Sequence, residues 1–380
     1  KNLQTAPKKP LSSNPLSCRY RIVPGSTVEV GPKLGLKKWA NFEEVLYHLN
    51  LLGAYLSDPN HFFGSNALLK PIGLPDVNEF GRMVKPVDGG VLRGLSNLLM
   101  DHLADHFVDA CKLASTNKAT EIGHLGNFLR ALRKEFDIGI VTLNYDDIFT
   151  QATSGLDTGF NSSGDFEPLS VLTHREWNFI YHLHGSIHFA MTGTPDDRLH
   201  GISWRQSPGK DHFIHSTGRS AQNSMEGILY PTSSIVAGFG KTQQILRQPF
   251  RTYFAKVNQL VHEADSFLFL GYGFGDLHLN AAFSEARNRP RPTLIIDWAN
   301  NTQDPLPFRQ DNWSYNLFTT LPYDAHKMSA PGMKIPANIK TLKANNEVEC
   351  SNNPDYPLAV WYNGMLEACK NASALLPYLR

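Results

Sequence analysis

Behind Asn41, apolar residues recur at Phe42, Val45, Leu46, Leu49 and Leu52, a helical spacing with Glu43 and Glu44 in the first turn. The spacing predicts a helix starting there, because Asn caps a helix and early carboxylates suit its positive end. Two more amphipathic helices are predicted over residues 91–113 and 122–136, the second dense in Leu and Arg. The period then changes. Residues 138–143 form a short β-branched run ending at polar Asn144, and a helical pattern follows over 147–153. The same strand, turn and helix order recurs at 266–271 with 276–287, and 292–297 is another apolar strand that ends in Asp297. Trp177, Phe179, Tyr181, Phe267 and Phe269 alternate as core strand residues do, not as a nucleic-acid stacking platform. Strands that alternate with helices predict an α/β fold: a mostly parallel sheet with right-handed crossovers and helices on both faces, here with an added helical layer.

The flanks are less periodic. Residues 1–32 are rich in Lys, Pro, Ser and Asn and predict a loosely ordered arm with one short strand at 20–23. Residues 188–227 predict a long polar loop over the site, a lid or selectivity element. Past Asn300 come many Pro and Asn residues and then a closing helix over 358–370. The expected organisation is an N-terminal arm (1–40), a main domain (41–300) with a helical insertion at about 55–136, and a C-terminal extension (301–380). No repeat of fixed period is present.

Composition narrows the partners. The 380 residues carry 41% hydrophobic and 19% charged side chains and a formal charge of +1. This balance gives no global field to hold nucleic acid or an anionic membrane. Apolar stretches are strand-sized and fall short of the ~20 residues that span a bilayer. Cys18, Cys111, Cys350 and Cys369 lie far apart without a C-x-x-C pair, which fits a reducing cytoplasm and no zinc ribbon. N-x-[ST] triplets at Asn161, Asn300, Asn312 and Asn371 carry no weight without a secretory segment.

In parallel sheets ligands sit beyond the carboxyl ends of the strands, where Asn144, the Gly271-Tyr272-Gly273 turn and Asp297 all fall. His182, His184 and His188 alternate as if on one strand face, but no Cys or carboxylate completes a metal spacing, so no metal is expected. His212 and His215, with Arg205, Lys210 and Arg219, read as a solvated polar loop.

Thr142-Leu143-Asn144-Tyr145-Asp146 resembles the sirtuin T-Q-N-I-D signature, and His184-Gly185 resembles the sirtuin catalytic His-Gly dipeptide. With Ser186, Leu229-Tyr230-Pro231-Thr232 and Gly271-Tyr272-Gly273-Phe274-Gly275-Asp276, the ordered set is similar to the NAD-hydrolysing sirtuin-like effectors of bacterial antiphage defence, over roughly residues 40–300. The resemblance implies a Rossmann-like fold and an NAD+ hydrolase with NAD as substrate. It implies Asn144 and His184 as catalytic residues, and Thr142, Tyr145, Asp146, Gly185, Ser186, Gly271, Gly273, Phe274, Asp276 and Asp297 around the dinucleotide. It also implies control through a homo-oligomer or a defence partner, a translocase-type ATPase or a short Argonaute.

The residue types suit that chemistry. Cleaving the nicotinamide–ribose bond passes through an oxocarbenium-like centre and needs polar groups around the sugar and a base. Asn144 can hold a ribose hydroxyl or water, and His184 can take the proton. Asp146 can orient the loop or ribose, Gly271 and Gly273 permit close backbone approach, and Asp297 can bind the adenosine ribose.

Two departures from the pattern stand. The four zinc cysteines of protein deacylases are missing, which favours hydrolysis over the alternative of an NAD-dependent deacylase. The Gly-rich phosphate loop is also missing: neither Pro24-Gly25-Ser26 nor residues 31–35 follow a convincing strand. That loop lies upstream of Lys1 or has degenerated, and the second case leaves a catalytically idle NAD- or ADP-ribose-sensing subunit as a further alternative.

Overall fold

The computed structural model describes residues 27–28, 40–55, 89–192, 201–210, 233–238, 241–300, 308, 312–313, 339–351 and 357–380. The chain divides into two units, Lys1–Arg93 with Ala237–Phe239, and Gly94–Val236 with Gly240–Arg380. In the first, β1 (Thr27–Val28) pairs antiparallel with β2 (Ala40–Asn41), and α1 (Phe42–Tyr55) follows at once with Leu46 buried. The helix predicted from Asn41 is therefore present, while the strand expected at 20–23 lies outside the described residues.

The second unit carries the sheet. It takes in α2 (Gly89–Asn117) from Gly94 onward, where Ser96, Met100, Ala104, Val108 and Cys111 form one buried stripe at helical spacing. Next come α3 (Ala119–Arg133), β3 (Ile140–Thr142), α4 (Ile148–Ala152), α5 (Pro168–Thr173) and β4 (Ile180–His182). A hairpin of β5 (Phe189–Thr192) and β6 (Gly201–Trp204) leads to α6 (Lys241–Gln244) and α7 (Phe250–Glu263). Then follow β7 (Phe267–Leu270), α8 (Leu277–Ala286), β8 (Thr293–Ile296), α9 (Ile339–Asn345), β9 (Glu349–Cys350), β10 (Leu358–Trp361), α10 (Gly364–Lys370) and α11 (Ala372–Leu375).

The described strands give the parallel sheet in two pieces. One is four-stranded, in the order β7-β8-β10-β9, with β7, β8 and β10 parallel and β9 antiparallel at the edge. The other is the parallel pair β3–β4. Hydrophobic packing joins them: Ile138 and Ile140 pack in the same cluster as Leu268, Leu270, Leu294 and Ile296. The two faces follow the strand alternation. Leu294, Ile296, Ala359 and Trp361 pack with Leu125, Phe128, Leu129 and Leu132 of α3, whereas Ile295 and Val360 pack with Ile339 and Leu342 of α9. Helices thus cover both sides, the mixed α/β arrangement expected for a Rossmann-like fold.

Two expectations are corrected. The closing helix over 358–370 is a strand followed by a helix. Leu358, Ala359, Val360 and Trp361 are all buried and divide between the two faces, which a strand between two neighbours achieves. Gly364, at φ 77° against Trp298, makes the turn into α10. The polar loop expected over 188–227 contains the β5–β6 hairpin, whose Phe189 and Ile202 are buried; residues 193–200 and 211–227 lie outside the described residues. Among the described residues no helix is long and apolar enough to cross a membrane.

Candidate functional site

The register of β3 and β4 sets the two catalytic candidates side by side. Thr142 stands opposite His182, so Asn144 and His184 each lie two residues past the last paired position, at neighbouring carboxyl ends. The Leu183 amide donates to the Thr142 carbonyl at 2.9 Å and continues the ladder one step. The chain then leaves the sheet: the Asn144 amide donates to Thr142 Oγ1 at 3.0 Å, and the Asn144 side chain is exposed. Asp146 Oδ1 accepts from the Ile148 amide at 3.1 Å, fixing the start of α4, and burial raises its pKa against that bond.

Tyr145 turns inward. Its hydroxyl donates to the Val236 carbonyl at 3.1 Å, and its ring meets Phe107 edge to face. Val236 in turn donates its amide to the His184 carbonyl at 2.7 Å, and Gly185 bridges to Ile235. Gly185 sits at φ 105°, and an added Cβ would overlap the Ser234 carbonyl oxygen and lie 2.9 Å from Ile235 Cα. Glycine is required on both counts: a positive φ and a backbone that passes directly over it. Arg247 donates to the Ser233 carbonyl and so holds the overlying segment. Ser186 is fully buried and accepts the His188 amide on its Oγ at 3.3 Å, a turn-building role. These contacts make residues 233–236 a strap over the His-Gly dipeptide, which sequence reading missed; its one signal was position, directly after Leu229 to Thr232, which lie outside the described residues.

The glycine turn after β7 is exposed at Gly271 and Gly273, and its polypeptide is stapled from beneath. Gly271 takes φ 61° and Phe274 φ 54°, with the Phe274 side chain wholly buried. Tyr272 donates its hydroxyl to Asn280 Oδ1 at 2.5 Å, and Asn280 Nδ2 donates to the Phe274 carbonyl at 2.7 Å. The turn delivers Asp276 to the start of α8, where Oδ1 accepts the Leu279 amide at 2.8 Å. Oδ2 faces His184 Nε2 at 3.0 Å, an ion-pair contact that lies outside hydrogen-bond alignment. Burial acts to raise the Asp276 pKa, but the imidazole and the Leu279 amide outweigh it and hold the carboxyl at about 2.

Asp297, one residue beyond β8, is half-buried. Its Oδ1 accepts the Trp298 amide at 2.7 Å and its Oδ2 the Trp313 indole at 3.0 Å. Burial raises its pKa against those two bonds.

The three histidines do not share a strand face. β4 ends at His182, and the turn that follows sends the rings apart. His184 meets Asp276; His188 stacks on Trp204 at 4.5 Å, has Nδ1 2.7 Å from the Arg205 carbonyl, and points Nε2 at Asp147 Oδ2, 3.6 Å away. Since Nδ1 faces a carbonyl it is the donor there. His182 is buried among Phe189 and Trp204, and neither ring nitrogen makes an aligned hydrogen bond among the described residues. Burial first, and the neighbouring His188 second, lower its pKa to about 4. The Asp147–His188 contact is another feature that sequence reading missed.

Asn144, His184, Asp276 and Asp297 all lie inside one stretch with a recognisable counterpart. Residues 139–305 match the SIR2-like domain model. The match supports a sirtuin-like domain over that stretch and fits an NAD-related activity. No curated protein matches the chain.

Proposed function

We propose that this domain hydrolyses NAD+ to nicotinamide and ADP-ribose. The observation that carries the reading is the pairing of an exposed Asn144 with a buried, carboxylate-facing His184 at adjacent parallel strand ends. Asn144 holds the ribose hydroxyl or the attacking water. His184 accepts the proton as the water oxygen bonds to the ribose anomeric carbon and the bond to nicotinamide breaks, its electron pair leaving with nicotinamide. The exposed Gly271 and Gly273 let the dinucleotide approach the backbone, and Asp297, whose carboxylate retains acceptor capacity beyond its two bonds, binds the adenosine ribose.

The resemblance to defence effectors supports a regulated role, in which NAD depletion follows a trigger passed through a homo-oligomer or a partner protein. Expression of the native chain together with its trigger is expected to deplete cellular NAD and release nicotinamide, while Asn144→Ala and His184→Ala each abolish both. Equal NAD loss in the native chain and in both variants sinks the reading. Release that requires an acyl-peptide substrate instead identifies a deacylase, and NAD binding without release under any trigger identifies a sensing subunit.

A further inference from the structure

We propose that Asp276 is a positioning residue that fixes the tautomer and orientation of His184, its two carboxylate oxygens dividing between the start of α8 and the imidazole. The role rests on the hydrolase reading above; the contact itself does not. Three observations converge. Oδ1 is committed to the Leu279 amide at 2.8 Å, which fixes the rotation of the carboxylate and directs Oδ2 at His184 Nε2, 3.0 Å away. Both side chains are more than nine-tenths buried, at 8% and 6% exposure, so water does not screen the contact. The turn that delivers Asp276 is locked by the Tyr272–Asn280–Phe274 bonds, so the carboxylate is held from the scaffold side.

The chemistry follows from charge. A buried carboxylate 3.0 Å from Nε2 favours the tautomer with the proton on that nitrogen, and Nδ1 is left with its lone pair for the hydroxyl or water. The same carboxylate stabilises the imidazolium formed when Nδ1 takes that proton. Asp276 moves no proton itself.

Asp276→Asn offers a sharp test because Asn caps a helix as well as Asp does. With Oδ1 still accepting from Leu279, the group turned toward His184 becomes an amide NH2, a donor. That positive edge favours the lone pair on Nε2 and the proton on Nδ1, the tautomer whose Nδ1 cannot act as base. Asp276→Ser also keeps a cap but places no group against the ring. The measurement is 15N NMR of the full chain with labelled histidine, the His184 signal assigned by its loss in His184→Gln, alongside nicotinamide release. Expected are an Nε2-protonated ring in the native chain, an Nδ1-protonated ring in Asp276→Asn and a mixture in Asp276→Ser. Turnover should fall about 10²- to 10⁴-fold in Asp276→Asn, and less in Asp276→Ser, at little-changed KM, the scale set by forcing a catalytic histidine into the wrong tautomer.

A purely structural cap predicts no difference among the three in tautomer or turnover, and that result overturns the proposal. If Asp276→Asn does not fold, an unaltered tautomer in Asp276→Ser overturns it and a mixed one supports it. If the native chain releases no nicotinamide under any trigger while the tautomer follows residue 276 as stated, the hydrolase reading fails and the pairing stands.

Discussion

The two parallel strand pairs, β3–β4 and β7–β8, end in polar loops of opposite character. Past β3–β4 the catalytic candidates keep reactive groups available: Asn144 is exposed, and His184 gives one ring nitrogen to a carboxylate. Past β7–β8 the carboxylates are already bonded, Asp276 to Leu279 and Asp297 to Trp298 and Trp313, and what faces outward is glycine backbone. Under the proposed function, the difference separates a reacting wall from a binding wall. The reacting wall is held by segments distant from it in sequence: residues 233–236 strap the His-Gly dipeptide, and Asp276 crosses over from the other wall.

The strongest way to break this comparison is Gly185→Ala. A methyl group there meets both an unfavourable φ and the Ser234–Ile235 backbone, which has no flexible end to yield. The expected loss is roughly 3 kcal/mol or more, read as a lower unfolding midpoint with activity lost along with the fold. The equivalent change at Gly271, where an added Cβ meets nothing within 4 Å, costs only the strain of its φ of 61°.

Acid should weaken the reacting wall next. His182 is held neutral with its pKa lowered to about 4, against about 6.5 in the unfolded chain. Between those values the unfolded state binds more protons, so stability is complete above pH ~6.5 and falls as pH drops toward 4. The contribution is on the order of 3 kcal/mol. His188 and Asp147 face the same region. Urea unfolding at pH 7 and pH 4.5 should show this loss in the native chain and a smaller one in His182→Phe, whose ring joins Phe189 and Trp204; an identical pH response in both rejects this origin.

Asp297→Asn sharpens the division of labour. It should raise KM for NAD+ about tenfold, on the scale of a lost hydrogen bond to a charged group, and leave kcat unchanged. Asn144→Ala should do the reverse, and a kcat effect at Asp297 would erase the distinction between the walls. The smallest effect is expected from Tyr145→Phe, which removes the hydroxyl bonded to the Val236 carbonyl. A loss of about 1 kcal/mol in unfolding free energy, with near-native turnover, fits a strap anchored at several points.

Much of the site was legible because it follows chain order. A strand that ends in Asn144, a His-Gly dipeptide and a glycine turn ahead of a helix are local patterns, and strands that alternate with helices place their carboxyl ends together. The amphipathic helices were legible for the same reason, since the buried stripe on α2 and the Leu125, Phe128, Leu129 and Leu132 face of α3 are written at helical spacing. The strand at Leu358–Trp361 was not, because four apolar residues beside a helical pattern do not reveal whether a sheet waits on either side.

By itself, then, the sequence determined most of the local grammar: the amphipathic helices, the strands that alternate with them, and the polar residues that stand at their ends. Tertiary structure decided partnership. That Oδ2 of Asp276 reaches His184 across 92 residues, that Val236 closes over Tyr145 and His184, and that the chain's late strand β10 docks beside β8 are outcomes of packing between distant segments. Periodicity reports only which face of an element is apolar. It carries no information on what that face, or the polar group beside it, will meet.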